Sequence, residues 1–312
     1  MFKYNYIALR VSKKMLILCF LLLLGCKVKK DSKLKANEPT TIITEEYELI
    51  KSNNSNALLI VFPGGGELLS DTKKNFKIIE KAISSNISVL LINFNRHLWI
   101  DEETSSQLKI KIEKIVEENN LNSQEVFIGG MSIGGTVAIS IANYLCKSNS
   151  LVQPKGVFVV DSPIDLYALY QSSKKDIIRT DLTKERLTEP KFIIKYFENE
   201  FGKDENLLIN LQKVSPITVR TFNSNKIQNL KNKKIRFYTE PDTLWWKENR
   251  KTNFESTNAY VLQKSYQLLK DKDWQNIELI QTENKGYRRN GDRHPHSWSI
   301  IDVDDLINWI LK

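Results

Sequence analysis

Gly130-Met131-Ser132-Ile133-Gly134 sets a serine between two glycines in a G-x-S-x-G pattern. The residues just before it, Glu125-Val126-Phe127-Ile128, are short, apolar and strand-forming, and residues 135–142 read as a buried helix opening on small residues. Strand, sharp turn and helix, with serine at the apex, is the context that makes such a residue a nucleophile. The strained turn lifts its Oγ clear of the sheet, and a Cβ at Gly130 or Gly134 would collide across so tight a bend. The implied chemistry is acyl transfer. A serine hydroxyl is a poor nucleophile at neutral pH, so it needs a base within hydrogen-bond reach, and the base needs an orienting acid. The chain offers three histidines, His97, His294 and His296. Its candidate acids follow apolar runs: Glu240 and Asp242 in Glu240-Pro241-Asp242, and Asp161 after Val157-Phe158-Val159-Val160. Pro63-Gly64-Gly65-Gly66 follows another such run. No Gly-Lys-Ser/Thr comes after it, which excludes a phosphate-binding P-loop. The histidines form no H-E-x-x-H and no Cys/His ligand cluster exists, so neither metal nor other cofactor is expected.

The elements that must position these residues alternate in type. Strands are predicted over 41–50, 57–62, 87–94, 125–128, 156–161, 234–239 and 276–280. Between them lie helical stripes: Phe76, Ile79 and Ile83; Leu108, Ile112, Ile115 and Val116; Ala259, Leu262, Tyr266 and Leu269; and Val303, Leu306, Ile307 and Ile310. This alternation predicts an α/β fold, a largely parallel central sheet flanked by helices on both faces. Residues 162–233 exceed what one crossover helix needs and contain helical stretches such as 192–201. They are expected to form a helical cap or lid inserted over the active face.

This order resembles the α/β-hydrolase superfamily, over roughly residues 41–312. A glycine loop precedes the serine turn by two strands, an acid follows a later strand, and a histidine comes last. The resemblance implies a serine hydrolase, most simply a carboxylesterase. Ser132 is then the nucleophile and His296 the base, since His296-Ser297-Trp298 is like the ending of many esterases of this kind. Asp242 is the implied acid, in the loop where the family's acid usually sits, with Glu240 as its rival and Asp161 as a third option used by some members. His294 is the alternative base. The oxyanion donors carried over are the backbone N–H of Ile133 and those of Gly65 and Gly66, from a loop similar to the family's His-Gly-Gly-Gly. Proline stands here where histidine is common, which leaves open which glycine donates. Trp245 and Trp246 either line the pocket or pack. The implied partner is a small-molecule ester. Peptidase or thioesterase activity would use the same triad, and a non-catalytic binding lipoprotein on this scaffold is the alternative from another class.

The N-terminus reads as an export signal. Lys3, Arg10, Lys13 and Lys14 precede a short apolar core ending in Leu23-Leu24-Gly25-Cys26, too short for a mature transmembrane span. It resembles the lipobox of bacterial lipoproteins, with Gly25 before the cleavage site and Cys26 the lipidated residue. Residues 1–25 are then a signal peptide and the lysine-rich 26–40 a flexible tether. The expected location is the bacterial cell envelope, held to a membrane by lipid. The signal carries four of the nine net positive charges, leaving about +5 on the rest. With no arginine-rich stretch or zinc pattern, nucleic acid is not an expected partner. Cys146 alone is left after Cys19 leaves with the signal and Cys26 takes lipid, so no internal disulfide is available. It is expected in the core.

Overall fold

The computed structural model describes residues 39–94 and 97–312. The signal peptide, Cys26 and the tether up to residue 38 lie outside the described residues. Eight strands form one sheet: β1 (Thr40–Ile43), β2 (Tyr47–Lys51), β3 (Ala57–Phe62), β4 (Ile87–Ile92), β5 (Val126–Met131), β6 (Pro154–Val160), β7 (Lys234–Thr239) and β8 (Ile277–Gln281). Their order is β1-β2-β4-β3-β5-β6-β7-β8. β2 runs antiparallel to both of its neighbours, β1 and β4, and every other pairing is parallel. β3 and β4 are buried along their whole length, as strands covered on both faces must be.

The pleat sends alternate residues of β3 to opposite cores. Leu58, Ile60 and Phe62 join a cluster with α3 (Glu102–Glu118), α4 (Ile133–Lys147) and α9 (Asn258–Asp271). Leu59 and Val61 join the other, with α1 (Leu69–Phe76), α2 (Ile79–Ser84) and α10 (Val303–Leu311). Helices thus cover both faces, as the alternation predicts. Three local expectations are corrected. The opening strand is two strands, because Thr44 ends β1 in a tight turn: its Oγ1 accepts from the N–H of Glu46 and Tyr47, and its N–H donates to the Tyr47 carbonyl. The single helix expected through Phe76, Ile79 and Ile83 breaks at Lys77, which takes φ 53° and caps α1. Cys146 is half-buried rather than fully in the core, and burial pushes its thiol up.

Residues 162–233 carry α5 (Leu166–Ile177), α6 (Thr188–Phe201), α7 (Asp204–Val214) and two short 3₁₀ turns. The three helices share a separate apolar cluster that includes Leu166, Ile193, Phe197 and Leu211. Trp99, from the segment after β4, packs against Tyr196 and Phe201 at ring separations of 5.0 and 4.6 Å. Among the described residues no helix is long and apolar enough to cross a membrane.

The turn between β5 and α4 has no room to spare. A Cβ at Gly134 would stand 2.3 Å from the Pro63 carbonyl oxygen and 2.4 Å from that of Phe62; one at Gly130 would stand 2.3 Å from Gly134's own carbonyl. All these obstacles are backbone atoms, which cannot swing away. Gly134→Ala is therefore expected to destabilise the domain by about 3 kcal/mol, read as a lowered melting temperature. An unchanged melt would mean that the turn and the β3 end can separate freely.

Candidate active site

Ser132 occupies the junction of β5 and α4 with φ 54° and ψ −131°. An L-residue rarely holds such a backbone, at a cost of about 1–3 kcal/mol. The neighbouring strand secures it: the Ser132 N–H donates to the Val160 carbonyl at the end of β6, at 2.9 Å. Ile133 opens α4, where the first N–H groups have no partner within the helix and the dipole is positive.

Asp161 follows directly after β6, also at positive φ (41°). Its N–H donates to Tyr238 on β7, and its carbonyl accepts from Asn258 Nδ2 at 2.8 Å. The buried carboxylate is held from two sides. Oδ1 accepts from Thr239 Oγ1 at 2.9 Å, and Oδ2 lies 2.6 Å from His296 Nδ1. An ionised carboxylate can only accept, so Nδ1 carries the proton and the Nε2 of the neutral ring is free to take one. Burial works against the His296 cation, but the hydrogen bond and charge of Asp161 outweigh it and raise the histidine's pKa above its ordinary value.

The acid expected from the sequence lies elsewhere. Asp242 caps α8 (Thr243–Arg250), accepting from the Trp245 N–H at 2.9 Å, and pairs with Arg293 at 2.6 Å. Glu240 is buried. Its Oε2 accepts from Thr282 Oγ1 and from the N–H groups of Lys285 and Gly286, and its Oε1 pairs with Arg293. Arg293, three residues before His296, thus takes both carboxylates of the β7 loop. The geometry brings Asp161, the third option, to His296 and brings neither Asp242 nor Glu240 there.

Ser132 and His296 line one cavity of about 1490 Å³, together with Gly64, Gly65, Gly66 and Ile133. The glycine loop abuts the start of α4, since a Cβ on Gly65 would lie 3.2 Å from Ile133 Cδ1. Both sets of expected oxyanion donors therefore border the serine. Pro63 has no side-chain donor or acceptor to brace the glycine loop, and Glu67 supplies the brace. It accepts from the Gly64 N–H, Trp298 Nε1 and Asn75 Nδ2, each at 3.1 Å. Sequence reasoning missed Glu67; its nearness to the glycines was the available signal.

His97 is exposed after β4, stacked on Phe94 at 4.2 Å, and does not line the cavity. His294 lines it but is buried, with both ring nitrogens engaged: Nδ1 is 3.1 Å from the His296 carbonyl oxygen and Nε2 is 3.0 Å from Arg250 Nη2. The guanidinium can only donate, so Nε2 accepts and Nδ1–H donates to the carbonyl. Trp245 packs edge-on to this ring at 4.8 Å and stays out of the cavity, while Trp246 lines it. Burial, then the charges of Arg288, His296 and Arg250, hold His294's pKa down to about 3.

Its folded pKa lies below the unfolded value, so the unfolded chain binds the proton more readily. The associated stability is present above about pH 6.5 and is lost as pH falls toward 3; it is on the order of 4 kcal/mol. His294→Gln is expected to flatten the acid side of the melting temperature–pH curve. Parallel curves for the two proteins would rule out this linkage.

No family model matches the chain, and no curated protein matches it. Among solved structures it is similar to carboxyl esterase 2 from the mycorrhizal fungus Tuber melanosporum, at 14% identity over 89% of this chain and 87% of that one, with TM-score 0.53. It is also similar to an S-formylglutathione hydrolase from Agrobacterium tumefaciens, at 10% identity over 87% and 93%, TM-score 0.52. An esterase of the bacterial hormone-sensitive lipase family aligns at 12% identity over 88% and 82%, TM-score 0.52. At such identities the likeness is one of fold.

Proposed function

We propose that this chain, which has the α/β-hydrolase fold, is a serine hydrolase acting on carboxylic esters through a Ser132–His296–Asp161 triad. One observation carries the reading. His296, held 2.6 Å from the buried Asp161, and a serine held at φ 54° on the next strand end border one cavity. As the ester carbonyl carbon bonds to Ser132 Oγ, His296 Nε2 takes the hydroxyl proton. Asp161 keeps the ring in the required tautomer and stabilises the imidazolium. The negative charge on the carbonyl oxygen is met by the N–H of Ile133 and those of Gly65 and Gly66. Collapse of the intermediate breaks the ester C–O bond, and the alcohol leaves with the proton from His296. Water, deprotonated by the same ring, then releases the acid and restores the serine. Residues 162–233 act as the cap that shapes the cavity. Lipidation at Cys26 would tether the domain to a bacterial envelope membrane, a reading that rests on the Leu23-Leu24-Gly25-Cys26 sequence.

The test is labelling of the full chain in detergent with a fluorophosphonate probe, beside Ser132→Ala and His296→Ala. Covalent labelling of the wild type alone is expected. A folded wild type that takes no label would turn the reading toward a binding lipoprotein. Labelling that survives in His296→Ala would remove His296 as the base.

A further inference from the structure

The cavity wall is cationic. Lys74, Lys77, Arg186, Arg250, Arg288 and Arg289 line it, against only Glu67, Asp176 and Glu189. Among the described residues, the arginine ion pairs belong to Arg179, Arg236 and Arg293, and no carboxylate lies within ion-pair distance of Arg186, Arg250 or Arg288.

Arg250 is the anchored member. Its Nη2 donates to His294 Nε2 at 3.0 Å, its guanidinium lies 5.7 Å from the centre of the Trp245 ring, and its carbonyl accepts from Arg186 Nη2 at 3.0 Å. His294 in turn donates to the His296 backbone, with the two rings 6.2 Å apart. The half-buried guanidinium thus stands one imidazole away from the triad. Arg288 reaches the cavity from a hairpin closed by the Tyr287–Arg293 bridge and by the Arg288 N–H donating to the Asp292 carbonyl. Burial, then the charges of Arg186 and Arg288, disfavour the Arg250 cation, and Glu189 offsets this only in part. Arg288 is exposed and keeps its water, whereas Arg250 and Arg186 are half-buried with no carboxylate at ion-pair distance among the described residues, so an anion entering the cavity meets a positive field. A planar guanidinium matches a carboxylate in two parallel hydrogen bonds.

We propose that the substrate is an ester that itself carries a carboxylate, received by Arg250 and Arg288 while Ser132 attacks the ester carbonyl of the same molecule. This rests on Ser132 being the nucleophile. The carboxylate fixes the long axis of the substrate in a cavity otherwise too roomy to orient a small ester.

The full chain in detergent is assayed on two matched pairs. Mono-p-nitrophenyl glutarate against p-nitrophenyl valerate places the charge on the acyl side. 4-Carboxyphenyl acetate against 4-carbamoylphenyl acetate places it on the alcohol side. In at least one pair the carboxylate is expected to raise kcat/KM by roughly tenfold or more. That advantage should shrink severalfold in Arg250→Gln and in Arg288→Gln, and at raised salt. Arg288→Gln leaves the His294 hydrogen bonds in place, and because both variants change the charge felt by His294 and His296, the charged-to-neutral ratio within each variant is the quantity compared. Turnover of the neutral esters with no carboxylate advantage in either pair overturns the proposal, as does an advantage unchanged in both variants. If none of the four esters is turned over and no fluorophosphonate label is taken, it is the hydrolase reading itself that fails.

Discussion

Ser132→Ala is expected to lower kcat on a p-nitrophenyl ester by roughly 10⁵–10⁶-fold while leaving the melting temperature within about 2 °C of the wild type. The two halves of this result come from different parts of the same residue. The hydroxyl carries the chemistry. The backbone, at φ 54° and ψ −131°, is held by the Val160 carbonyl and the start of α4 whatever the side chain. Alanine keeps the Cβ and its strain, so stability stays. Ser132→Gly should instead melt higher, since glycine holds positive φ without the Cβ penalty. Near-normal kcat in Ser132→Ala would end the proposed mechanism.

The second large effect separates two aspartates. Asp161→Asn is expected to reduce kcat by about 10⁴-fold, because an amide can present its NH₂ to His296 and so favour the wrong ring tautomer. Asp242→Asn should leave kcat within a fewfold range and cost about 1 kcal/mol of stability through the α8 cap and the Arg293 pair. The pH profile gives an independent readout. Turnover needs neutral His296, so kcat/KM rises with pH through the histidine's pKa. In the wild type that acid limb lies above the ordinary histidine value, because Asp161 outweighs burial. Removing the Asp161 charge leaves burial dominant, and the limb should move to lower pH. A limb that moves in Asp242→Asn and stays put in Asp161→Asn would reverse the assignment.

Much of this arrangement was legible in the sequence, because it depends on short-range patterns. The β5–α4 turn needs glycines at 130 and 134, the alternating apolar runs and stripes give the sheet and its helices, and His296 stands two residues before Trp298, whose stacking on Phe76 at 4.4 Å ties the base-bearing segment to α1. The acid was not legible by the same means. Asp161, Glu240 and Asp242 all follow strands, and what separates them is that Arg293 claims the latter two, contacts across roughly 50 residues, and leaves Asp161 to His296. The brace at Glu67 spans 231 residues to Trp298. The strand break at Thr44 turns on the hydrogen bonds of one hydroxyl and the helix break at Lys77 on one backbone conformation, and both leave the apolar pattern intact.

Arg293's grip on Glu240 and Asp242 also sets the order in which the molecule comes apart. Residues 285–296 meet the β7 loop through this clamp and through the Glu240 bonds to the Lys285 and Gly286 N–H groups, and meet the end of β6 through His296 on Asp161. The sheet lies behind them in two apolar cores that need none of these charges. This segment can unhook as a small cooperative unit of its own, exchanging its amide protons long before β3 to β7 do. Warming or acid should then silence the protein through a detached histidine while its strands are still folded, and cooling or neutralising should restore it without refolding the domain.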